Sequence, residues 1–108
     1  MSINRAKVFK ALGDDLRLRI IESLFGRELS VSEITENTGI QYSQVSHHLS
    51  VLRNAGIVSN LRAGKYVVYK INPELLHGEH RKEHSLDFNC CTIEFSGIKL
   101  AHNTVNKF

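Results

Sequence analysis

Between Gly39 and Arg53 the chain reads Gly-Ile-Gln-Tyr-Ser-Gln-Val-Ser-His-His-Leu-Ser-Val-Leu-Arg, and Val45, Leu49 and Leu52 recur at i, i+4 and i+7. That spacing predicts a helix with one apolar stripe turned to a core. At about 100° per residue, Ser43, His47, Ser50 and Asn54 point away from the stripe, while Gln44 and Ser46 flank it near the helix start. The outward face is built from short hydrogen-bonding side chains, not the Lys and Glu of an ordinary solvated helix. Such groups can reach base edges and phosphate oxygens in a DNA groove. His48 lies at the edge of the inward stripe, where packing or a hydrogen bond to the preceding turn competes with DNA contact.

Composition limits what can surround this helix. A chain of 108 residues has room for one small domain and one core. It is 42% hydrophobic and 23% charged, and no apolar run approaches the ~20 residues of a membrane span. The N-terminus, Met-Ser-Ile-Asn-Arg-Ala-Lys, lacks the apolar centre of a signal peptide, so a cytoplasmic protein with no membrane partner is expected. A net charge of +3 and a pI near 9.0 favour an anionic partner. The two cysteines, Cys90 and Cys91, are adjacent, which excludes a disulfide framework and a four-thiolate zinc site. No Gly-rich phosphate loop, Ser/His/Asp grouping or metal-hydrolase motif is present, so the chain is not expected to be an enzyme.

In chain order, Ile3, Ala6, Phe9 and Leu12 predict a first helix with one apolar side, ended by Gly13. Asp14 or Asp15 caps a second through about Phe25, with Leu16, Ile20, Ile21 and Leu24 on its apolar face and Gly26 closing it. Ser30-Val31-Ser32-Glu33 is a capping box, with Leu29 and Ile34 placed as a hydrophobic staple, and predicts a short helix from Val31 to Thr38. Gly39 stops that helix, and a brief turn leads to the helix described first. Ile57 to Arg62 and Tyr66 to Ile71 are β-rich runs joined by Ala63-Gly64-Lys65, a hairpin with Arg62 and Lys65 at its turn and Lys70 following. Asn72-Pro73-Glu74 starts a further helix, short or frayed because the run from His77 to Ser85 is polar on every side. Ile93 and Phe95 alternate with polar neighbours as in a strand. The last dozen residues are expected to be disordered or held by a partner subunit.

The architecture is thus mainly α with a β-hairpin wing: helix, helix, helix, turn, helix, hairpin, helix, a winged helix-turn-helix. Residues 1–88 form the DNA-binding domain and residues 89–108 a C-terminal tail. Several motifs in register carry a family resemblance over about residues 5 to 76. Lys10-Ala11-Leu12-Gly13-Asp14 with Leu16-Arg17-Leu18-Arg19-Ile20, Glu28 through Ile34, Val45-Ser46-His47-His48-Leu49 with Leu52-Arg53, and Ala55 to Val58 leading into Gly64 to Tyr69 resemble the ArsR/SmtB family of small dimeric repressors. The resemblance implies a homodimer that binds an inverted-repeat double-stranded DNA operator and represses transcription until a metal ion or other signal lowers its affinity. Two recognition helices would then enter successive major grooves, each wing lying on flanking backbone. Ser43, Gln44, Ser46 and His47 are the base-edge or phosphate candidates, and Arg62, Lys65 and Arg53 the phosphate candidates. The alternative for the set is a solvated helix face and an ordinary hairpin turn, or a module that binds protein. Ile3, Phe9, Ile93 and Phe95 are candidates for the dimer contact.

The effector is less constrained. Where some arsenite-sensing members carry a Cys-Val-Cys pair at the third helix, this chain has Ser30-Val31-Ser32, and hydroxyls are poor ligands for a thiophilic ion. His77, His80, Glu83 and His84 have helical spacing, so His80 and His84 are candidate metal ligands, although the family's spacing there is not reproduced and Gly78 weakens a helix. Cys90 and Cys91 can share one soft ion such as arsenite, act as a redox switch, or be small buried hydrophobes beside Phe88 and Ile93. No cofactor is required for folding on this reading.

Overall fold

The computed structural model describes residues 4–78 and 82–95. The chain divides into two compact units, Met1–Asn72 and Pro73–Phe108.

In the first unit, α1 (Arg5–Leu12) is capped by Asn4, whose side chain accepts from the Lys7 N–H. Its buried residues are Val8 and Ala11; Ala6 is exposed and Phe9 is 50% exposed. The expected apolar side is therefore corrected: Ile3 lies outside the described residues, and contacts with the next helix and with the polar-faced helix select the stripe one residue round from Phe9. α2 (Asp15–Ser23) starts at Asp14, whose carboxylate accepts from the N–H groups of Leu16 and Arg17. Ile20, Ile21 and Leu24 are buried, as the pattern predicts.

Two residues, Leu29–Ser30, form the short strand β1, which the residue pattern does not predict. α3 (Val31–Thr38) begins at Ser30 with the full capping box: Ser30 Oγ accepts from Glu33 N–H, and Glu33 Oε1 accepts from Ser30 N–H at 2.9 Å. Leu29 and Ile34, the expected staple, are both buried. Gly39 ends the helix in the left-handed region at φ 77°, donating to Thr35 O. That conformation suits glycine because it has no Cβ to clash.

After Ile40 and Gln41, α4 (Tyr42–Asn54) carries the polar face. Val45, Leu49 and Leu52 are completely buried, so this one stripe holds α4 to α2 and α3. Burial of this kind is what makes a Leu→Ala change cost about 2–5 kcal/mol. β2 (Val58–Ala63) and β3 (Tyr66–Ile71) pair antiparallel from Val58↔Ile71 to Ala63↔Tyr66, leaving a two-residue loop, Gly64-Lys65. β1 pairs with the other edge of β3, Leu29↔Tyr69 and Ser30↔Val68, giving the order β1-β3-β2. Asn72 closes the unit by donating its side-chain N–H to Gly56 O at 2.9 Å.

In the second unit, Pro73–Leu76 is a single 3₁₀ turn. The expected fifth α-helix is corrected: after Leu75 and Leu76 no apolar residue supplies a face to pack, and Gly78 follows at φ 131°. β4 (Ser85–Asp87) and β5 (Thr92–Glu94) form an antiparallel hairpin, Ser85↔Glu94 to Asp87↔Thr92. The strand expected at Ile93 is present, but Phe95, offered as a dimer contact, is completely buried and donates its N–H to His84 O at 2.7 Å.

Candidate nucleic-acid interface

The surface that can meet a polyanion is set by which side of α4 the core consumes. With Val45, Leu49 and Leu52 inward, Ser43, Gln44, Ser46, His47, Ser50 and Arg53 are all exposed. Gln41 occupies the N-cap in an extended conformation without a side-chain cap bond. Two properties of a helix N-terminus, free N–H groups and a positive dipole end, favour an anion here. Tyr42, in the first turn, is 58% exposed. Sequence reasoning missed it because one aromatic between polar residues has no period to assign it to a face.

Arg19 steadies the approach to this helix. Its guanidinium donates to Thr38 O at 2.6 Å, and Thr38 Oγ1 in turn accepts from the Ile40 N–H at 3.2 Å. An orphan carbonyl at the end of α3 and the first amide of the turn are thereby satisfied, which keeps the turn in one shape.

The wing alternates its faces. Arg62 pairs with Val67, and Ala63 with Tyr66, so these pairs project to opposite sides of the ribbon. Arg62 and Lys65 are exposed at the tip, and Tyr66 is 63% exposed beside them. Gly64 takes φ 66°, the left-handed geometry that a tight two-residue loop demands. The short polar face of α4 and the cationic hairpin tip belong to the same unit, and this combination can hold DNA by groove and by phosphate.

His48, for which the sequence leaves packing and DNA contact both open, is 8% exposed. Its Nδ1 lies 3.3 Å from an Nη of Arg17. Burial, then the Arg17 and His47 charges, hold its pKa below the ordinary 6.5, against the pull of Asp14. Partial burial of Asp14 opposes its ionisation, but the Leu16 and Arg17 amides, the Arg17 guanidinium and His48 outweigh that and lower its pKa.

The cysteines occupy the turn of the β4–β5 hairpin. Phe88 N–H donates to Cys91 O, Asn89 stands at φ 70°, and Asn89 N–H donates to the Asp87 carboxylate. Cys90 is exposed and Cys91 half-buried, both are free thiols, and their Sγ atoms are 3.5 Å apart. A role as buried hydrophobes does not fit this placement. The hydrogen bond with Cys90, then desolvation and the charges of Cys90 and Asp87, push the Cys91 thiol above its ordinary 9.0. His80 lies outside the described residues. His77 and His84 are not on one helix: His77 follows the 3₁₀ turn, and His84 sits in the turn before β4. Among the described residues, no three His, Cys, Asp or Glu side chains gather as a metal site, and no helix is long and apolar enough to cross a membrane.

A family model described as bacterial regulatory protein, arsR family, matches residues 14–60. The transcriptional repressor SdpR of Bacillus subtilis is 35% identical over 69 residues, which cover 64% of this chain and 77% of that protein. The arsenic resistance transcriptional regulator ArsR1 of Pseudomonas putida is 41% identical over 70 residues, covering 63% of this chain but only 54% of its own length. Among solved structures, the homodimeric winged helix-turn-helix DNA-binding domain of a possible ArsR-family regulator from Mycobacterium bovis superposes with a TM-score of 0.60 at 34% identity, covering 63% of each chain. These similarities are to transcriptional regulators with a DNA-binding fold, not to enzymes.

Proposed function

We propose, from the premise that this chain belongs to the arsR family of bacterial regulatory proteins, that it is a homodimeric repressor which binds an inverted-repeat operator and is released by a soft metalloid at Cys90 and Cys91. The observation that carries the DNA-binding part is the exposed face of α4, Ser43, Gln44, Ser46 and His47, set in one unit with the cationic wing tip of Arg62 and Lys65. In this reading the α4 side chains read base edges, while Arg53, Arg62 and Lys65 neutralise phosphates. The homodimeric state of the similar Mycobacterium bovis domain supports a two-fold arrangement, which suits two half-sites. The cytoplasm is the compartment in which such a regulator meets DNA.

The donor set at the hairpin turn fits a trivalent metalloid. Two neighbouring thiols 3.5 Å apart, one of them exposed, can close on a single centre with little movement of the chain. Arsenous acid would take both: two As–OH bonds break, two As–S bonds form, and the two thiol protons leave in two water molecules, with one hydroxyl kept on arsenic. Release of DNA then requires that the loaded protein favour a state with weaker operator affinity. The similarity to a regulator named for arsenic resistance supports this choice of ion. Because the two thiols are also close enough to be oxidised together, a peroxide-driven switch is the second reading.

Fluorescence anisotropy of the reduced protein on DNA flanking its own gene, repeated with arsenite and with peroxide, tests both. The proposal expects specific binding, released by arsenite, and no release in a Cys90→Ser, Cys91→Ser double variant. Release by peroxide alone would favour the redox reading, and binding indifferent to both would remove the cysteines from sensing.

A further inference from the structure

One guanidinium ties three helices of the first unit together. Arg17, at the start of α2, donates from Nε to Ala11 O at 2.6 Å and from an Nη to Lys10 O at 3.5 Å, carbonyls in the last turn of α1. The same side chain lies 4.0 Å from the Asp14 carboxylate that caps α2, and its other Nη faces His48 Nδ1 on α4 at 3.3 Å. Guanidinium nitrogens only donate, so this last bond exists only when Nδ1 carries no proton. The neutral tautomer with its proton on Nε2 is the one that satisfies this contact. A second proton would place a cation against Arg17 inside a largely buried contact, where like charges repel more strongly than in water.

Charged groups face the ring from several elements. α2 contributes Asp14 and Arg17, and α4 itself contributes His47, whose ring centroid is 5.4 Å away. From α1, no charged group among the described residues moves its titration; its Lys10 and Ala11 carbonyls accept from Arg17. From α3 and β2, which also pack on α4, no charged group among the described residues moves its titration. Asp14 favours the protonated ring, whereas burial, Arg17 and His47 disfavour it, and the disfavouring set prevails. His47 projects from the exposed side one residue away, so His48 adjoins the surface assigned to DNA.

We infer that Arg17 and His48 are positioning residues which set α4 for DNA binding, and that they do so only while His48 is neutral, making operator affinity fall as the pH is lowered. The inference rests on the DNA-binding reading above. Its sign is distinctive. Protonation of an exposed histidine on a DNA-facing surface adds positive charge and strengthens binding to DNA, whereas protonation of His48 weakens it.

The test is operator affinity by anisotropy at fixed ionic strength from pH 7.5 to 5.5, for the full chain, for His48→Asn and for Arg17→Met, with circular dichroism at each pH to follow folding. Asn keeps an acceptor near the position of Nδ1 and does not titrate. Expected is a severalfold loss for the natural chain by pH 5.5, part of the roughly tenfold limit that one unit of pKa difference between bound and free states reaches only below both pKa values. His48→Asn should lose that decline relative to its own affinity at pH 7.5, and Arg17→Met should bind more weakly at pH 7.5 with a flatter profile. Affinity of the natural chain that holds or rises toward pH 5.5, or a His48→Asn profile identical to it, would overturn the proposal. A second arm needs no DNA: NMR titration of the His48 ring together with Arg17 Nε and the α4 amides. A shared midpoint below 6.5 is expected, and a His48 titration that leaves Arg17 and α4 unmoved overturns the pairing. If no variant binds DNA at pH 7.5, the DNA-binding reading fails by itself, and the NMR arm still decides the coupling of Arg17 and His48.

Discussion

Arg19 of α2 donates to the main-chain oxygen of Thr38 at 2.6 Å, so a cation closes the C-terminal end of α3 just before the turn into the recognition helix. A charged donor is favourable at this end because the helix dipole leaves partial negative charge on its last carbonyls. Replacing Arg19 by Met keeps much of the aliphatic stem and removes the bond. The expected loss is about 1.5–3 kcal/mol, read as a lower urea midpoint with an unchanged slope.

Gly39 makes the same turn possible from the backbone side. It stands at φ 77°, and nothing lies within 4 Å of the point a Cβ would occupy, so conformation alone sets the penalty of a side chain there. Gly39→Ala is expected to destabilise the first unit by about 1 kcal/mol. Gly39→Asn should cost less, since Asn tolerates the left-handed region better. Thermal melts of the two variants distinguish this from a packing effect, which would make the larger Asn the worse of the two.

On DNA, the wing and the recognition helix should fail in different ways. Removing Arg62 or Lys65 is expected to weaken operator and non-operator DNA alike and to lower the slope of log K against log salt by about one for each phosphate no longer neutralised. Gln44→Ala or His47→Ala should instead reduce the preference for operator by about 1–3 kcal/mol while leaving the salt slope near its original value. Titrations at three salt concentrations on both DNAs separate the two classes. Equal effects from both would contradict the division of labour.

Acid stability should report Asp14. Its pKa is lowered in the fold from the ordinary 3.8, so the unfolded chain binds the proton more readily. The stability it supplies is present above about pH 4 and is lost as the pH falls through the lower folded value. Asp14→Asn retains an acceptor for the Leu16 and Arg17 amides but cannot titrate. Between about pH 5 and pH 2.5, its urea midpoint is expected to fall less than that of the natural chain, and an identical fall would show that Asp14 is not the group responsible.

Much of the first unit was legible because local rules and tertiary packing agree there. The capping box at Ser30 and Glu33, the Asp14 cap, Gly39 and the Val45-Leu49-Leu52 stripe each name a boundary or a face through short-range geometry, and α3 spans Val31–Thr38 as its signals predict. Exposure of Ser43, Gln44, Ser46, His47, Arg53, Arg62 and Lys65 follows from the same stripe and from the hairpin turn. The helix-forming pattern failed where it was ambiguous: in α1, Phe9 and Val8 begin neighbouring stripes, and nothing local says which is turned inward.

By itself, then, the sequence determined the order of helices, the wing and the polar face of α4, because periodicity, caps and turn residues act within a few positions of one another. Only the tertiary structure decided the pairing of Leu29 with Tyr69, the burial of Phe95, the meeting of Cys90 and Cys91 at a hairpin turn, and the bond from Arg17 to His48. The first and last of these join residues far apart along the chain, beyond the reach of any local pattern. A two-residue strand has no alternation to read, and a buried histidine takes its protonation state from whichever distant side chain the fold sets against it.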